Sequence, residues 1–189
     1  MHPSSVKKLA LIKHALPELV AGVPSQRWQL GAAGRAQIPN LAARLRDAGF
    51  DHVVTSDEDK AVETGRLLAG ALGLPVSTLH GLHEQRRESE PVQADRSVFE
   101  ARIARFFQAP AALVFGEETA DTAHARFHQA LSAAATAVSG NLAIVAHGTV
   151  IALLVARAND LDPWPLWHNL ACADFITITW PGLQLVASP

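Results

Sequence analysis

The chain has 189 residues, of which 49% are hydrophobic and 18% charged, and its formal net charge is −2 at pH 7. This composition is typical of a globular protein; the length predicts one domain over residues 1–189, and the charge gives no reason to expect a nucleic-acid partner. The single cysteine, Cys172, excludes an internal disulfide. That favours a cytoplasmic location, and no apolar run approaches the roughly 18 residues of a membrane span.

The first half of the sequence alternates short apolar runs with helical patterns. Leu9–Ile12 is a continuous apolar run typical of a strand buried on both faces. Residues 34–49 have apolar side chains at helical spacing and end in glycine. Val53–Thr55 predicts a second strand, and Ser56 predicts the N-cap of a helix that ends at Gly73.

The second half repeats this alternation and then departs from it. The patterns predict a short strand within 74–79, an amphipathic helix around 99–107, a long helix over 119–138 and a buried strand, Leu142–Ala146, followed by a helix. The tail, 173–187, alternates around a Pro-Gly turn, which predicts an antiparallel hairpin. The whole predicts an α/β three-layer sandwich, with a mostly parallel central sheet, helices on both faces and an antiparallel edge hairpin.

Polar and charged residues follow three of the predicted strands: Lys13-His14, Ser56 to Lys60, and His147-Gly148. Ligands of parallel sheets bind at the carboxyl ends of the strands, so these residues are expected to share one site. Neutral imidazole is a nucleophile near pH 7, and cations stabilise phosphoryl oxygens. The pattern therefore predicts a histidine that attacks phosphorus in a cationic pocket, with a carboxylic acid nearby to protonate the leaving alkoxide.

Motifs in chain order resemble those of the histidine phosphatase superfamily, the phosphoglycerate mutase-like proteins. Lys13-His14-Ala15 is similar to the family's Arg-His-Gly or Arg-His-Ala motif. WQLGAAGRAQIPNLAARL resembles the lead into its first helix, and VVTSDEDKAVETGRLLAGALGLPV resembles its V-x-S-S-x-x-x-R-A-x-E-T-A stretch. LHEQRRES carries Glu84 where the family has its proton-donating glutamate; FGEETADTAHARF and VAHGTVI resemble the later Gly-Glu and second-histidine motifs.

The resemblance implies a role for each matching residue. His14 would be the nucleophile that forms a phosphohistidine, His147 would stabilise the phosphoryl group, and Glu84 would serve as acid and then as base. Lys13 and Lys60 stand where the family has two phosphate-clamping arginines. The implied activity is a phosphomonoester hydrolase that needs no metal or other cofactor and acts on a phosphorylated small molecule or phosphoprotein.

The lysines at both clamp positions leave the activity open. Lysine keeps the charge of arginine but loses its planar, bidentate fork. A weakened or inactive member that binds phosphorylated ligands is therefore one alternative to a hydrolase. A mutase-type phosphotransferase is the other, although the family's mutases keep both arginines. A cap over the pocket is expected around residues 85–120.

Three further site residues have two interpretations each. Glu84 is either the proton donor or part of a solvated charged loop with neighbouring acids. Ser56 and Thr149 stand at predicted helix starts, where hydroxyls and backbone N–H groups either bind phosphate or only cap the helix.

Two pairs of histidines have spacings that metal sites use. His124 and His128 are four residues apart on a predicted helix, but the glutamate of the zinc-protease motif is missing. His80 and His83 flank a loop, and nothing in the sequence completes a ligand set for them. No metal site is therefore predicted.

Overall fold

The computed structural model describes residues 7–90 and 95–186. Within these ranges five strands form one sheet. The strands are β1 (Lys7–Lys13), β2 (His52–Thr55), β3 (Val76–Thr78), β4 (Leu142–Ala146) and β5 (Phe175–Trp180). They lie in the order β3-β2-β4-β1-β5. All neighbours are parallel except β1 and β5, which are antiparallel.

Six α-helices lie in the same described ranges: α1 (Ala32–Leu45), α2 (Asp59–Leu72), α3 (Arg96–Gln108), α4 (Ala120–Ala137), α5 (Gly148–Ala158) and α6 (Pro163–Asn169). Short 3₁₀ turns occupy Ser25–Arg27 and Arg46–Ala48. None of the helices in the described part of the chain is long and apolar enough to cross a bilayer.

Alternating side chains of the central strands divide the core into two layers. Leu9 and Leu11 of β1 belong to a cluster with Ile103 of α3, side chains of α4 and side chains of α5. Ala10 and Ile12 belong to the opposite cluster, built from α1 and α2. Because successive residues of a strand point to opposite faces, a fully apolar run is what this sheet requires. The expected α/β sandwich with an antiparallel edge is confirmed.

Helix α5 lies directly behind the carboxyl end of β4. Its residues 148–156 are all buried, so the helix is covered on every side. A helix that is apolar all round is stable only inside a core. The start of α5 is therefore fixed in place by packing on all faces.

Three details differ from the sequence prediction. The second helix begins at Asp59 with Glu58 as its N-cap, so the prediction of Ser56 as N-cap was wrong. Helix α6 was not predicted, although Asp162 caps it by accepting from Trp164 N–H and Pro163 opens it. Of the edge hairpin, β5 forms a full strand, whereas the returning segment makes only an isolated bridge.

Two predicted units extend beyond the described residues. The proposed single domain includes residues 1–6 and 187–189, and the proposed cap includes residues 91–94; all of these lie outside the described ranges. Within the described part of the cap segment, α3 packs Ile103 and Phe106 into the core.

Candidate active site

The sheet places the two histidines side by side. Strands β1 and β4 are parallel neighbours with Lys13 opposite Ala146, so the residue that follows each strand is a histidine. The backbone N–H of His14 donates to the carbonyl of Ala146 at 3.0 Å. Ser56 follows β2 in the same row, and its N–H donates to Val145 at 2.9 Å. The prediction that these strand ends share one site is thus consistent with the topology.

The rings of His14 and His147 are neighbours with centroids 5.1 Å apart and are tilted by 59° to each other. Their exposed fractions are 8% and 0%. Nδ1 of His14 lies 2.9 Å from the carbonyl oxygen of Ala15. A carbonyl only accepts, so Nδ1 carries the proton and Nε2 of a neutral His14 keeps its lone pair. The backbone therefore fixes the tautomer that a nucleophilic Nε2 needs.

Burial keeps both imidazoles neutral. The pKa of His14 is well below its usual value because of burial, the neighbouring His147 and the charge of Lys60. The pKa of His147 is also well below its usual value, through burial and Lys60, although Glu84 acts in the opposite direction. At neutral pH both rings are uncharged, which leaves His14 in its nucleophilic form.

Two buried polar atoms at this site have no hydrogen-bond partner within the described residues: Nδ1 of His147 and Oγ1 of Thr149. Nε2 of His147 lies 2.9 Å from Oγ of Ser56, and Ser56 in turn accepts from Glu58 N–H at 3.3 Å. The Ser56 hydroxyl can then donate to Nε2, which leaves Nδ1 of His147 as an N–H donor. Unsatisfied buried polar groups cost about 1–3 kcal/mol each, and an anionic oxygen would satisfy these two.

The two predicted clamp lysines take different positions. Lys60 is buried, and its Nζ donates to the carbonyl of Ser25 at 2.7 Å and forms an ion pair with Glu58. Lys13 is half-buried; its Nζ donates to Leu170 at 2.8 Å and packs against Gly148 at the start of α5. Both cations therefore lie at the strand ends, but both already have protein partners.

Glu58 lies in the Ser56–Lys60 stretch that the sequence placed at the site, but no role of its own was predicted for it. Its carboxylate is buried, pairs with Lys60, and accepts from Glu84 N–H at 2.8 Å. Oε1 lies 3.6 Å from Nε2 of His147. Burial acts to raise the pKa of Glu58, but Lys60 and the hydrogen bonds outweigh it, so the pKa is lowered and the group is ionised. In sequence, an acid just before a helix is usually a solvated N-terminal charge, which is why nothing singled it out.

Glu84 lies at the same rim, on the loop that follows β3. Its carboxylate accepts from Thr149 N–H at 3.1 Å and from Gln85 N–H at 2.9 Å. Arg87 Nη2 lies 3.9 Å away. Burial acts to raise the pKa of Glu84, but Arg87, His147 and the two N–H donors outweigh it and leave the pKa below its usual value.

The neighbouring charged residues separate into site and surface groups. Glu88 is exposed and Glu90 pairs with Arg102 at 2.6 Å, whereas the Glu84 side chain is only 13% exposed. The alternative of a solvated loop therefore describes Glu88 better than Glu84. Arg87 stacks on Phe99 at 5.0 Å and is a third cation of the site, next to Glu84.

The two histidines of the helical pair are neighbours in space. His124 and His128 stack with ring centroids 6.2 Å apart on α4. In the described part of the chain, no third ligand residue joins them. His128 is exposed, whereas His124 is half-buried.

Comparisons with known proteins point in one direction. A model of the histidine phosphatase superfamily (branch 1) matches residues 10–182. The adenosylcobalamin/alpha-ribazole phosphatase of Salmonella typhimurium is 29% identical over 171 residues, which cover 85% of this chain and 84% of that protein. Among solved structures, the alpha-ribazole phosphatase of Shigella flexneri superposes with a TM-score of 0.71 at 22% identity over 96% of both chains.

A mycobacterial glucosyl-3-phosphoglycerate phosphatase superposes with a TM-score of 0.72 at 20% identity, covering 92% of this chain and 90% of that one. At such identities the structures establish the fold alone, and they confirm the expected phosphoglycerate mutase-like architecture. The family model spans the two histidine motifs and the Glu84 loop, and the relatives named here are phosphatases. The chain belongs to the histidine phosphatase superfamily.

Proposed function

We propose that the protein is a phosphomonoester hydrolase that works through a phosphohistidine on His14. The observation that carries this proposal is the state of His14: a buried, neutral imidazole whose Nδ1 proton is held by Ala15 and whose Nε2 lone pair is available. Nε2 attacks phosphorus, forming a P–N bond while the P–O bond to the alcohol breaks. Water then attacks the phosphohistidine, which releases inorganic phosphate and restores His14.

The unpaired donors of the pocket support binding of the phosphoryl group. Nδ1–H of His147 and the hydroxyl of Thr149 are buried without partners in the described chain. Charge developing on equatorial oxygens is stabilised by such fixed donors and by cations. Lys13 and Lys60 supply the positive charge, and Ser56 acts through His147 by fixing its tautomer.

Glu84 is proposed as the acid and later the base. It is ionised in the free protein, so it must first gain a proton. A phosphoryl group entering the pocket brings negative charge close to this carboxylate, and a like charge raises the pKa of a carboxyl group. The protonated Glu84 gives its proton to the leaving alkoxide, and the resulting carboxylate then accepts one from the attacking water.

The substrate class is a phosphorylated small molecule reached under a cap. Arg87, which lies beside Glu84 and stacks on Phe99 of α3, supports the assignment of 85–120 as the cap. Relatives are named for alpha-ribazole and glucosyl-3-phosphoglycerate phosphatase activities. Alpha-ribazole phosphate and glucosyl-3-phosphoglycerate are therefore the first compounds to test in a wider panel of phosphorylated metabolites.

A second candidate is a phosphate-ligand binder with little catalysis. The ion pair between Lys60 and Glu58 favours it, because a carboxylate in the pocket cancels part of the charge that a phosphoryl group needs. A mutase-type transfer is the third possibility, and it differs from hydrolysis in leaving no free phosphate.

Release of phosphate from an aryl phosphate tests the proposal. We expect turnover by the wild type, none by His14→Ala, and unchanged turnover by His128→Ala, an exposed histidine on α4. Rapid quenching followed by mass spectrometry is expected to locate an acid-labile phosphate on His14. Saturable phosphate-ester binding with neither phosphate release nor labelling would establish the binder instead.

A further inference from the structure

Three side chains that can ligate a metal lie together just outside the phosphate pocket. Nδ1 of His80 is 2.7 Å from Oδ2 of Asp57, and the rings of His80 and His83 have centroids 5.1 Å apart. One ligand atom of each residue lies within 4.8 Å of the other two. The pairing that the sequence left incomplete, His80 with His83, thus gains a carboxylate from the end of β2.

The donor set has the chemistry of a transition-metal site. Two imidazoles and one carboxylate are ligands that zinc uses, with bonds of about 2.0–2.2 Å, and a catalytic or surface site keeps a fourth position for water. In a tetrahedral site such ligand atoms lie about 3.3 Å apart. The His80 side chain is 83% exposed and the Asp57 side chain 39%. Both side chains can therefore rotate enough to bring the ligand atoms to this separation. Hard cations such as Mg²⁺ prefer oxygen ligands, so the two imidazoles favour zinc over Mg²⁺ at this site.

His83 provides a second, independent observation. Its Nδ1 is buried and has no hydrogen-bond partner within the described residues. Arg126 holds the backbone of this loop by donating to the carbonyls of Gly81, His83 and Glu84 at 2.8–3.1 Å. The charge of Arg126 is itself paired with Glu118 at 2.6 Å, so it opposes a cation less than a free guanidinium would.

We propose that Asp57, His80 and His83 bind one Zn²⁺ ion, with water completing its coordination. Asp57 lies between Ser56 and Glu58, and His83 precedes Glu84. The ion would therefore cross-link the end of β2 to the loop that carries Glu84. Its role is to hold these two segments together, and it takes no part in the chemistry on phosphorus, so the site does not depend on the proposed phosphatase activity.

Calorimetric titration of Zn²⁺ into the metal-stripped full chain, purified without a histidine tag, tests the proposal. We expect one ion per chain with a dissociation constant in the micromolar range. His80→Ala and Asp57→Asn each weaken binding by at least roughly tenfold, and since both side chains are exposed, both variants are expected to fold. Co²⁺ in place of Zn²⁺ gives a visible spectrum of four-coordinate nitrogen and oxygen ligation that His80→Ala abolishes.

Two controls exclude the other histidines. The double variant His124→Ala/His128→Ala removes the pair on α4, and His14→Ala removes one imidazole of the phosphate pocket; both are expected to bind Zn²⁺ as the wild type does. Zn²⁺ is also expected to raise the melting temperature of the wild type but not of His80→Ala. The proposal is overturned if the wild type binds no Zn²⁺, if His80→Ala binds it equally well, or if only a control variant loses it.

Discussion

Replacing Glu58 with glutamine is expected to tighten phosphate binding and to weaken the fold. The Glu58 and Lys60 side chains are 6% and 7% exposed and form an ion pair at the pocket. Glutamine keeps the shape of the side chain and an oxygen that can still accept from Glu84 N–H. The substitution therefore removes one negative charge and replaces the oxygen that faces Lys60 with an amide NH₂ group.

The size of the effect follows from the geometry. Glu58 Oε1 is 3.6 Å from His147 Nε2, and the rings of His147 and His14 are 5.1 Å apart. A phosphoryl group bound between these rings would lie on the order of 6 Å from the carboxylate, where two unit charges repel by about 3 kcal/mol at an effective dielectric constant of 20. With half of this lost to relaxation and remaining water, the gain is about 1.4 kcal/mol, or about tenfold in affinity.

The same substitution is expected to lower the free energy of unfolding. Removing one partner of a buried ion pair leaves the other charge uncompensated and typically costs about 3–5 kcal/mol. We expect Glu58→Gln to unfold at lower urea concentration, and added phosphate to recover part of the loss because it replaces the missing anion beside Lys60.

The assay is competitive inhibition of aryl phosphate hydrolysis by inorganic phosphate, measured beside urea denaturation. Asp59→Asn is the matched control, because Asp59 is the next residue, is only partly buried and pairs only with surface Arg27 at 3.4 Å in the described chain. Unchanged or weaker inhibition by phosphate in Glu58→Gln would refute the electrostatic reasoning. A hundredfold loss of turnover would assign Glu58 a role in proton transfer instead.

Two further outcomes follow from the site. Glu84→Gln is expected to slow the hydrolysis of alkyl phosphates by about a hundredfold. The hydrolysis of p-nitrophenyl phosphate is expected to slow much less, because the nitrophenolate leaving group needs no proton. Equal losses of rate for both esters would contradict the acid role. Because burial holds the pKa of His14 and of His147 below that of the unfolded chain, the unfolded state binds more protons below about pH 6.5, and stability must fall there. Denaturant titrations between about pH 6.5 and 5 are expected to show that the free energy of unfolding falls by up to about 1.4 kcal/mol per pH unit for each histidine. His14→Ala is expected to lower this slope. The slope would be absent if the rings were protonated in the folded state.

Strand ends were the part of the site that sequence could predict. His14 and His147 each follow a buried apolar run, and parallel neighbours bring such residues together whatever the loops do. Glu58 and the Asp57–His80–His83 cluster were not predictable in this way. Glu58 pairs with nearby Lys60, but its contact with Glu84 N–H, like that of Asp57 with His80, joins the segment after β2 to the loop after β3. Nothing in local spacing fixes which loop meets which. Ser56 was expected to cap a helix because the sequence does not reveal that the helix starts three residues later.

The complete burial of residues 148–156 of α5 has a consequence for how the protein can change. The helix carries the N–H that anchors Glu84 and the buried hydroxyl of Thr149, and no face of residues 148–156 reaches solvent. Mutational scans are expected to find these positions nearly intolerant, whereas exposed positions of α3 accept many residues. Directed evolution toward a new phosphorylated substrate is therefore best concentrated on residues 95–108, where diversity can be introduced without displacing the reacting groups.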